Sequence, residues 1–379
     1  MHKAMRLSLL LGLAVALAAP TPSQAQDNRS DTGDKAVFVM TNDADRNAVI
    51  VFRRESDGSL TRAGRFFTGG RGSGGTTDPL GSQGSLSLSN DGSLLFAVNA
   101  GSGELSVFRV FGHSLWLIDI VPCGGSEPVA VTQHGNLVFL VNAGGTNNVV
   151  GFRVQNNQRV KRIPHGTALL SAGNTGPGSI AFSPNGSSLL VTEKATNKID
   201  VFSVHGDGTL GPIVTSTSVG PGAFAVTFAN NGAALVAETG PAGGTNASAI
   251  SSYAVSGSGG LSAISASVPT QGAATCWLEV TPDGRYVYTA NSASSSISGY
   301  AIGHDGTLTA LPGTVQATLV AGSTDIDTAI SSNGKFLYTL DTGTGTVATF
   351  RIEKDGTLSS LGEVSGLPAK SGLNGIAAN

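Results

Sequence analysis

Six stretches of this chain superimpose on a single glycine: LSLSNDGSLLFAVN (86–99), VAVTQHGNLVFLVN (129–142), IAFSPNGSSLLVTE (180–193), VTFANNGAALVAE (226–238), LEVTPDGRYVYTAN (278–291) and TAISSNGKFLYTLD (328–341). Each is an apolar run, a tight turn and a second apolar run; the fourth is one residue shorter after its turn. The aligned glycines, Gly92, Gly135, Gly186, Gly232, Gly284 and Gly334, are 43, 51, 46, 52 and 50 residues apart. A period of this size built from short strands predicts an all-β propeller, because one four-stranded unit exposes sheet faces that it can bury only against copies of itself.

The turns have the residues hairpins need. Asn-Gly and Asp-Gly tolerate positive φ, and a second set follows the third strand: SDGSL (56–60), GDGTL (206–210), HDGTL (304–308) and EKDGTL (353–358). Two fragments remain at the ends. AVFVMTNDADRNAVIVFRRESDGSL (36–60) has second and third strands without a first, and GLNGIAAN (372–379) has the missing first strand, with Ile376 at the position of Leu86 and Ile180. Joining them closes a ring and protects an open sheet edge. The expectation is seven blades in one domain, residues 35–379.

Ahead of that domain, Lys3 and Arg6 precede the uncharged run from Leu9 to Ala19 and the small-x-small pattern Ser23-Gln24-Ala25. This reads as a signal peptide, residues 1–25, followed by a flexible segment, 26–34, and an exported protein, periplasmic or secreted. The run is too short for a comfortable membrane span, and no later segment resembles one. Net charge is −3; Lys3 and Arg6 fall in the signal and no acid does, so the mature chain is at −5. That balance gives no basic face for nucleic acid. Charged residues make up 12% of the chain, about half the usual share of ~25%, in keeping with many strands and turns. The repeat frame sets Cys123 and Cys276 three blades apart, which makes a direct disulfide awkward and suggests two free, partly buried thiols.

These units resemble the seven-bladed propeller lactonases, a family that includes the propeller-type 6-phosphogluconolactonases and the fungal carboxymuconate cyclases; broader YVTN-type surface propellers share the same grammar. The resemblance implies the fold and a small-molecule lactone site in the channel mouth. The family motif, Gly-Pro-Arg-His entering a first strand, is partly present: Gly176-Pro177 stand here, but Gly178 and Ser179 occupy the Arg and His positions. Glu193 matches the family's glutamate at the end of a second strand.

Because strands in a blade are antiparallel, first-strand starts and second-strand ends share one face. That face collects Glu127, Glu193, Glu238, Asp325, Asp327 and Asp341 with the amides Asn99, Asn142 and Asn291, Trp277 at one entry, and Lys194 as the nearby base. Crowded carboxylates raise one another's pKa or recruit a cation, so a divalent ion such as calcium is one expectation and a neutral, sugar-like ligand another. The plain alternative is that strand-end Asn and Asp close their own turns, and that Trp277 packs the core. Histidine chemistry is not supported: His113, His134, His205 and His304 fall in turns and His165 in an outer strand or loop. GGRGSGG (69–75) and GPAGGTNAS (240–248) read as flexible surface loops. No nucleophile elbow or zinc motif occurs.

Two functions from different classes follow. One is a monomeric, exported lactone hydrolase that acts on an unphosphorylated substrate with Glu193 or Glu127 as general base. The other is a noncatalytic propeller that binds a protein, a glycan or a cation. A mouth closed by Phe224, Trp277 and Ile326 favours the second; an open pocket with Glu127 facing Glu193 favours the first.

Overall fold

The computed structural model describes Met1 and residues 35–241 and 244–379. The expected signal peptide and the segment 26–34 lie outside the described residues, Met1 aside, as do Ala242 and Gly243 of the second glycine-rich loop. The described strands form seven antiparallel four-stranded sheets. The innermost strands are Leu86–Leu88, Ser126–His134, Pro177–Phe182, Ala223–Phe228, Thr275–Val280, Asp325–Ile330 and Ile376–Ala378. Each lies against the next and the last against the first, which makes a ring around a central channel. We number the blades 1 to 6 in chain order from Leu86 and call the shared one blade 7. No helix among the described residues is long and apolar enough to cross a membrane.

Burial explains why the second strands read as unbroken apolar runs. Leu94–Asn99 and Phe336–Asp341 are buried at every position, because neighbouring blades cover both faces of each sheet. Outer strands such as Leu60–Phe67 are mostly exposed, and they carry the polar residues.

The second-turn signature has a direct cause. In each Asp-Gly-Ser/Thr turn the aspartate Oδ1 receives both the amide and the hydroxyl of the residue two positions on: Ser59 on Asp57 at 2.9 and 2.7 Å, Thr209 on Asp207 at 2.9 and 2.7 Å, Thr307 on Asp305 at 3.0 and 2.7 Å. The intervening Gly58, at φ 94°, takes the left-handed conformation that the turn requires.

Ring closure matches the expectation from the two chain ends. Ile376–Ala378 pairs with Lys35–Met40 in the register Val37 with Ala378, Phe38 with Ala377 and Val39 with Ile376. Asn379 Oδ1 accepts the Ala36 amide at 2.7 Å, and the Met40 amide donates to Gly375 O at 3.0 Å. The stretch 69–75 is held, not loose: Gly72 N donates to Asp43 O, Gly74 N to Asn42 O, and Gly101 N to Arg71 O. Its glycines serve close backbone approach along the rim between blades 7 and 1. Phe38, wholly buried in the closing strand, tests the seam: Phe38→Ala is expected to lower unfolding free energy by roughly 3–5 kcal/mol, read from equilibrium urea titration.

Candidate active site

The ring of polar residues that ends the second strands is engaged by the protein itself. Glu193 is wholly buried and accepts Ser171 N at 3.0 Å and Ser171 Oγ at 2.7 Å from the connection that enters blade 3. Burial would raise its carboxyl, but hydrogen bonds from Asp200, Thr196 and Ser171 outweigh that and hold it below the ordinary value. Asp200 takes the opposite course, pushed up to about 7 by burial and by its hydrogen bond to Glu193, so the two share a proton.

Glu238 does the same work in blade 4, accepting Ser218 Oγ at 3.2 Å, Gly220 N at 2.9 Å, Ser251 Oγ at 2.7 Å and Ser267 Oγ at 2.8 Å. A Cβ at Gly220 would collide with that carboxylate, so the connection there must be glycine. Asn99 accepts Thr68 Oγ1 at 2.7 Å, Asn142 donates to Cys123 O at 3.4 Å, Asn291 receives the Thr275 hydroxyl, and Asp341 receives Thr324 N at 2.8 Å. Ser171, Ser218, Gly220, Thr68, Cys123 and Thr324 lie on the chain arriving from the preceding blade, whereas Ser251, Ser267 and Thr275 belong to the same blade as the residue they bond. The ring fastens blade to blade, and each bond it makes spares a buried polar group about 1–3 kcal/mol of desolvation.

The mouth inside that ring is crossed by residues 76–85, the last part of the connection from blade 7 to blade 1. Ser82 Oγ donates to Val129 O of blade 2 at 2.8 Å, and Gln83 N donates to Gly178 O of blade 3 at 2.9 Å. Gln83 also spans to blade 5, giving Nε2 to Leu278 O at 2.7 Å and taking Leu278 N on Oε1 at 3.1 Å. Trp277 Nε1 donates to Ser82 O at 3.0 Å, and its ring packs edge-on against Phe224 at 5.3 Å. Trp277, Phe224 and Ile326 are all buried, so the floor of the mouth is closed.

What stays reachable at the mouth is a group of three side chains from distant parts of the chain, Asp78, Lys194 and Glu127. Asp78 on the crossing segment is half-buried and accepts Asn374 Nδ2 at 2.9 Å. Burial holds its carboxyl up at about 7, against the pull of Lys194 and of the Asn374, Ser82 and Gly81 hydrogen bonds. Lys194, also half-buried, donates to Gly81 O and lies 4.9 Å over the Phe224 ring. Burial lowers the Lys194 ammonium, while Asp78, Cys276 and Glu127 oppose that. Glu127 is exposed, in the left-handed conformation at φ 54°. Cys276 and Cys123 are free, buried thiols, and burial raises both.

Below the crossing segment the channel is a cavity of 260 Å³ lined mostly by small side chains, among them Ser87, Ala181, Thr227 and Ala329. Two acids break that pattern. Glu279 is pushed up to about 8 by burial. Asp327, at φ 51° and 2% exposed, is raised well above the ordinary value by burial first and by Glu279 second. Its Oδ1 takes the Thr328 amide at 3.1 Å, and its Oδ2 has no hydrogen-bond partner.

The structure therefore brings Glu127 towards Lys194, sets Asp327 in the channel, and turns Glu193, Glu238, Asp341 and the three asparagines into the blade seams. Sequence reasoning missed Asp78, which lies 116 residues from its cation in a segment without strand periodicity. It also passed over Glu279, although the offset from the turn glycine was readable: Ser87, Ala181, Thr227 and Ala329 occupy the same place in their blades.

Residues 225–372 match the family described as Lactonase, 7-bladed beta-propeller. No curated protein matches the chain in sequence. Among solved structures, a protein of Bacteroides fragilis provisionally described as a 6-phosphogluconolactonase superimposes with a TM-score of 0.68 at 18% identity, over 92% of this chain and 99% of its own. The periplasmic gluconolactonase of Pseudomonas aeruginosa superimposes with a TM-score of 0.68 at 17% identity, over 91% of this chain and 98% of its own. At such identities the likeness is one of fold.

Glu279 gives this region a pH signature. A carboxyl raised in the folded state stabilises fully below the ordinary glutamic acid pKa, and that stability is lost as pH rises through about 8. The melting temperature is expected to fall between pH 5 and 9, and Glu279→Gln to flatten the decline, as read by scanning fluorimetry; an unchanged slope would mean that the carboxyl is solvated.

Proposed function

Starting from the chain's being a lactonase-like seven-bladed β-propeller, we propose that it hydrolyses a small unphosphorylated lactone at the channel mouth, with Asp78 as general base and Lys194 as the electrostatic partner. One observation carries this reading: a half-buried carboxyl held at about 7 stands across from a half-buried ammonium, in a place that solvent reaches. A base whose pKa lies near neutrality combines the ionised form with real affinity for the proton.

Asp78 removes a proton from water as the oxygen attacks the lactone carbonyl, and the Lys194 ammonium faces the negative charge that develops on the carbonyl oxygen. The ring C–O bond then breaks, and the proton held by Asp78 passes to the departing alkoxide. Asn374 positions Asp78 through its 2.9 Å hydrogen bond. Glu127, exposed beside Lys194, keeps a second negative charge at the entrance and so disfavours phosphorylated substrates. The N-terminal signal pattern supports action outside the cytoplasm, periplasmic or secreted.

A second reading, a noncatalytic propeller that binds a protein or a glycan, is favoured by the hydrogen bonds that seat residues 76–85 across the mouth and by the buried Phe224, Trp277 and Ile326.

The two readings separate in a pH-stat assay of unphosphorylated aldonolactones and smaller lactones. Hydrolysis above background, rising with pH through about 7 as Asp78 ionises and falling about 10²- to 10⁴-fold in Asp78→Asn, is the expected result. Lys194→Met is expected to lower kcat as well, whereas Glu193→Gln is expected to change stability more than rate. Background rates across the whole panel would leave the binding reading in place.

A further inference from the structure

The residues facing the blade fasteners show where one of them stands opposite a second acid. Pro128 stands opposite Asn142, Pro177 opposite Glu193 and Ala223 opposite Glu238; Thr275, opposite Asn291, donates its hydroxyl to it. In blade 6 the pair is Asp325 and Asp341, two acceptors face to face across adjacent strands. Cross-strand neighbours of this kind have Cβ atoms about 4.5–5.5 Å apart.

Both aspartates are wholly buried. Asp341 Oδ1 is filled by the amides of Thr324, Gly343 and Thr344 at 2.8, 2.9 and 3.3 Å. Its Oδ2 has no hydrogen-bond partner, nor has either carboxyl oxygen of Asp325, nor the hydroxyl of Ser323, a residue 8% exposed just ahead of the strand. Four buried oxygens of one small region thus lack a donor, where even one such group costs about 1–3 kcal/mol or more if charged. Glu193 and Asp200 meet the same problem by a direct hydrogen bond between carboxyls. Asp325 instead feels the charge of Asp341, and its own amide and the Asn291 amide of blade 5 lie near its carboxyl but outside hydrogen-bond geometry.

We propose that blade 6 holds a hard divalent cation of the calcium class between Asp325 and Asp341, with Ser323 Oγ as a third protein donor. The donors are all oxygen and two are carboxylates, which matches calcium in hardness and charge. No cluster of three His, Cys, Asp or Glu side chains able to hold a metal occurs among the described residues, so backbone carbonyls or water complete the shell. The ion ties the inner strand, the second strand and the incoming connection at one point. The site uses neither Asp78 nor Lys194 and stands or falls apart from the hydrolase reading.

The test uses the full chain, unfolded and refolded in EDTA, dialysed, and titrated with calcium chloride by calorimetry and by thermal melting. One saturable site per chain is expected, with a rise in Tm of about 4 °C at a hundredfold excess over Kd. In Asp325→Asn the new amide can donate to Asp341, so the calcium-dependent rise is expected to vanish while the calcium-free Tm is at or above that of wild type. Should Asp325→Asn fail to fold, Ser323→Ala is expected to keep the fold and weaken Kd several-fold. A stripped wild-type protein that shows no saturable heat and the same Tm with and without calcium overturns the site. So does a calcium-dependent rise that persists in Asp325→Asn, or a Kd unmoved in Ser323→Ala where that variant is needed.

Discussion

A three-residue strand at one end of the chain, Ile376–Ala378, laid against Lys35–Met40 at the other, is the interaction on which the rest of this molecule depends. Without it the inner-strand ring would stop at blade 6, the second strand of blade 7 would present a bare hydrogen-bonding edge, and the channel would open along one side. With it, every second strand lies between two covered faces, and the polar residue that ends each strand is buried among partners the fold supplies, with Asn142 Oδ1 and Asp341 Oδ2 the atoms left without one. The seams, the mouth and the channel are consequences of that one pairing.

Closure also sets the electrostatics. A closed ring of sheets is a low-dielectric wall, and acids that face inward from it are pushed towards their neutral forms: Asp78 and Asp325 to about 7, Glu279 to about 8, Asp327 higher than an ordinary aspartate. The exposed turn aspartates, whose carboxylates receive an amide and a hydroxyl, go the other way. The same residue type thus serves as a turn former at the periphery and as a titrating group in the interior, and its position relative to the ring decides which.

The blades were legible because their determinants are local. Asp57, Asp207 and Asp305 bond to residues two positions away, so their turns are visible in any short window. The split blade was legible because Ile376 keeps the place of Leu86 and Ile180. The mouth was less legible for two physical reasons. A strand-end side chain such as Glu193 can turn into the channel or into its own blade, and period-two alternation does not distinguish the two at the last residue. Asp78 bonds to Asn374 and feels the charge of Lys194 through a segment with no regular structure, and that arrangement depends on where blades 3 and 7 lie once the ring has closed. The glycine-rich stretch 69–75 misled in a related way: its glycines allow backbone to lie against backbone, whereas composition alone suggested a loose loop.

The segment 76–85 has a mechanical meaning beyond covering the mouth. An array of repeats in which each unit touches only its neighbours behaves as a one-dimensional chain, free to lose one unit at a time. Ser82 and Gln83 act as spokes from the hub of the wheel, binding blades 2, 3 and 5 to a strand that begins blade 1. A blade that loosens pulls on others it does not touch, so the segment couples blades that an array of nearest-neighbour contacts would leave independent.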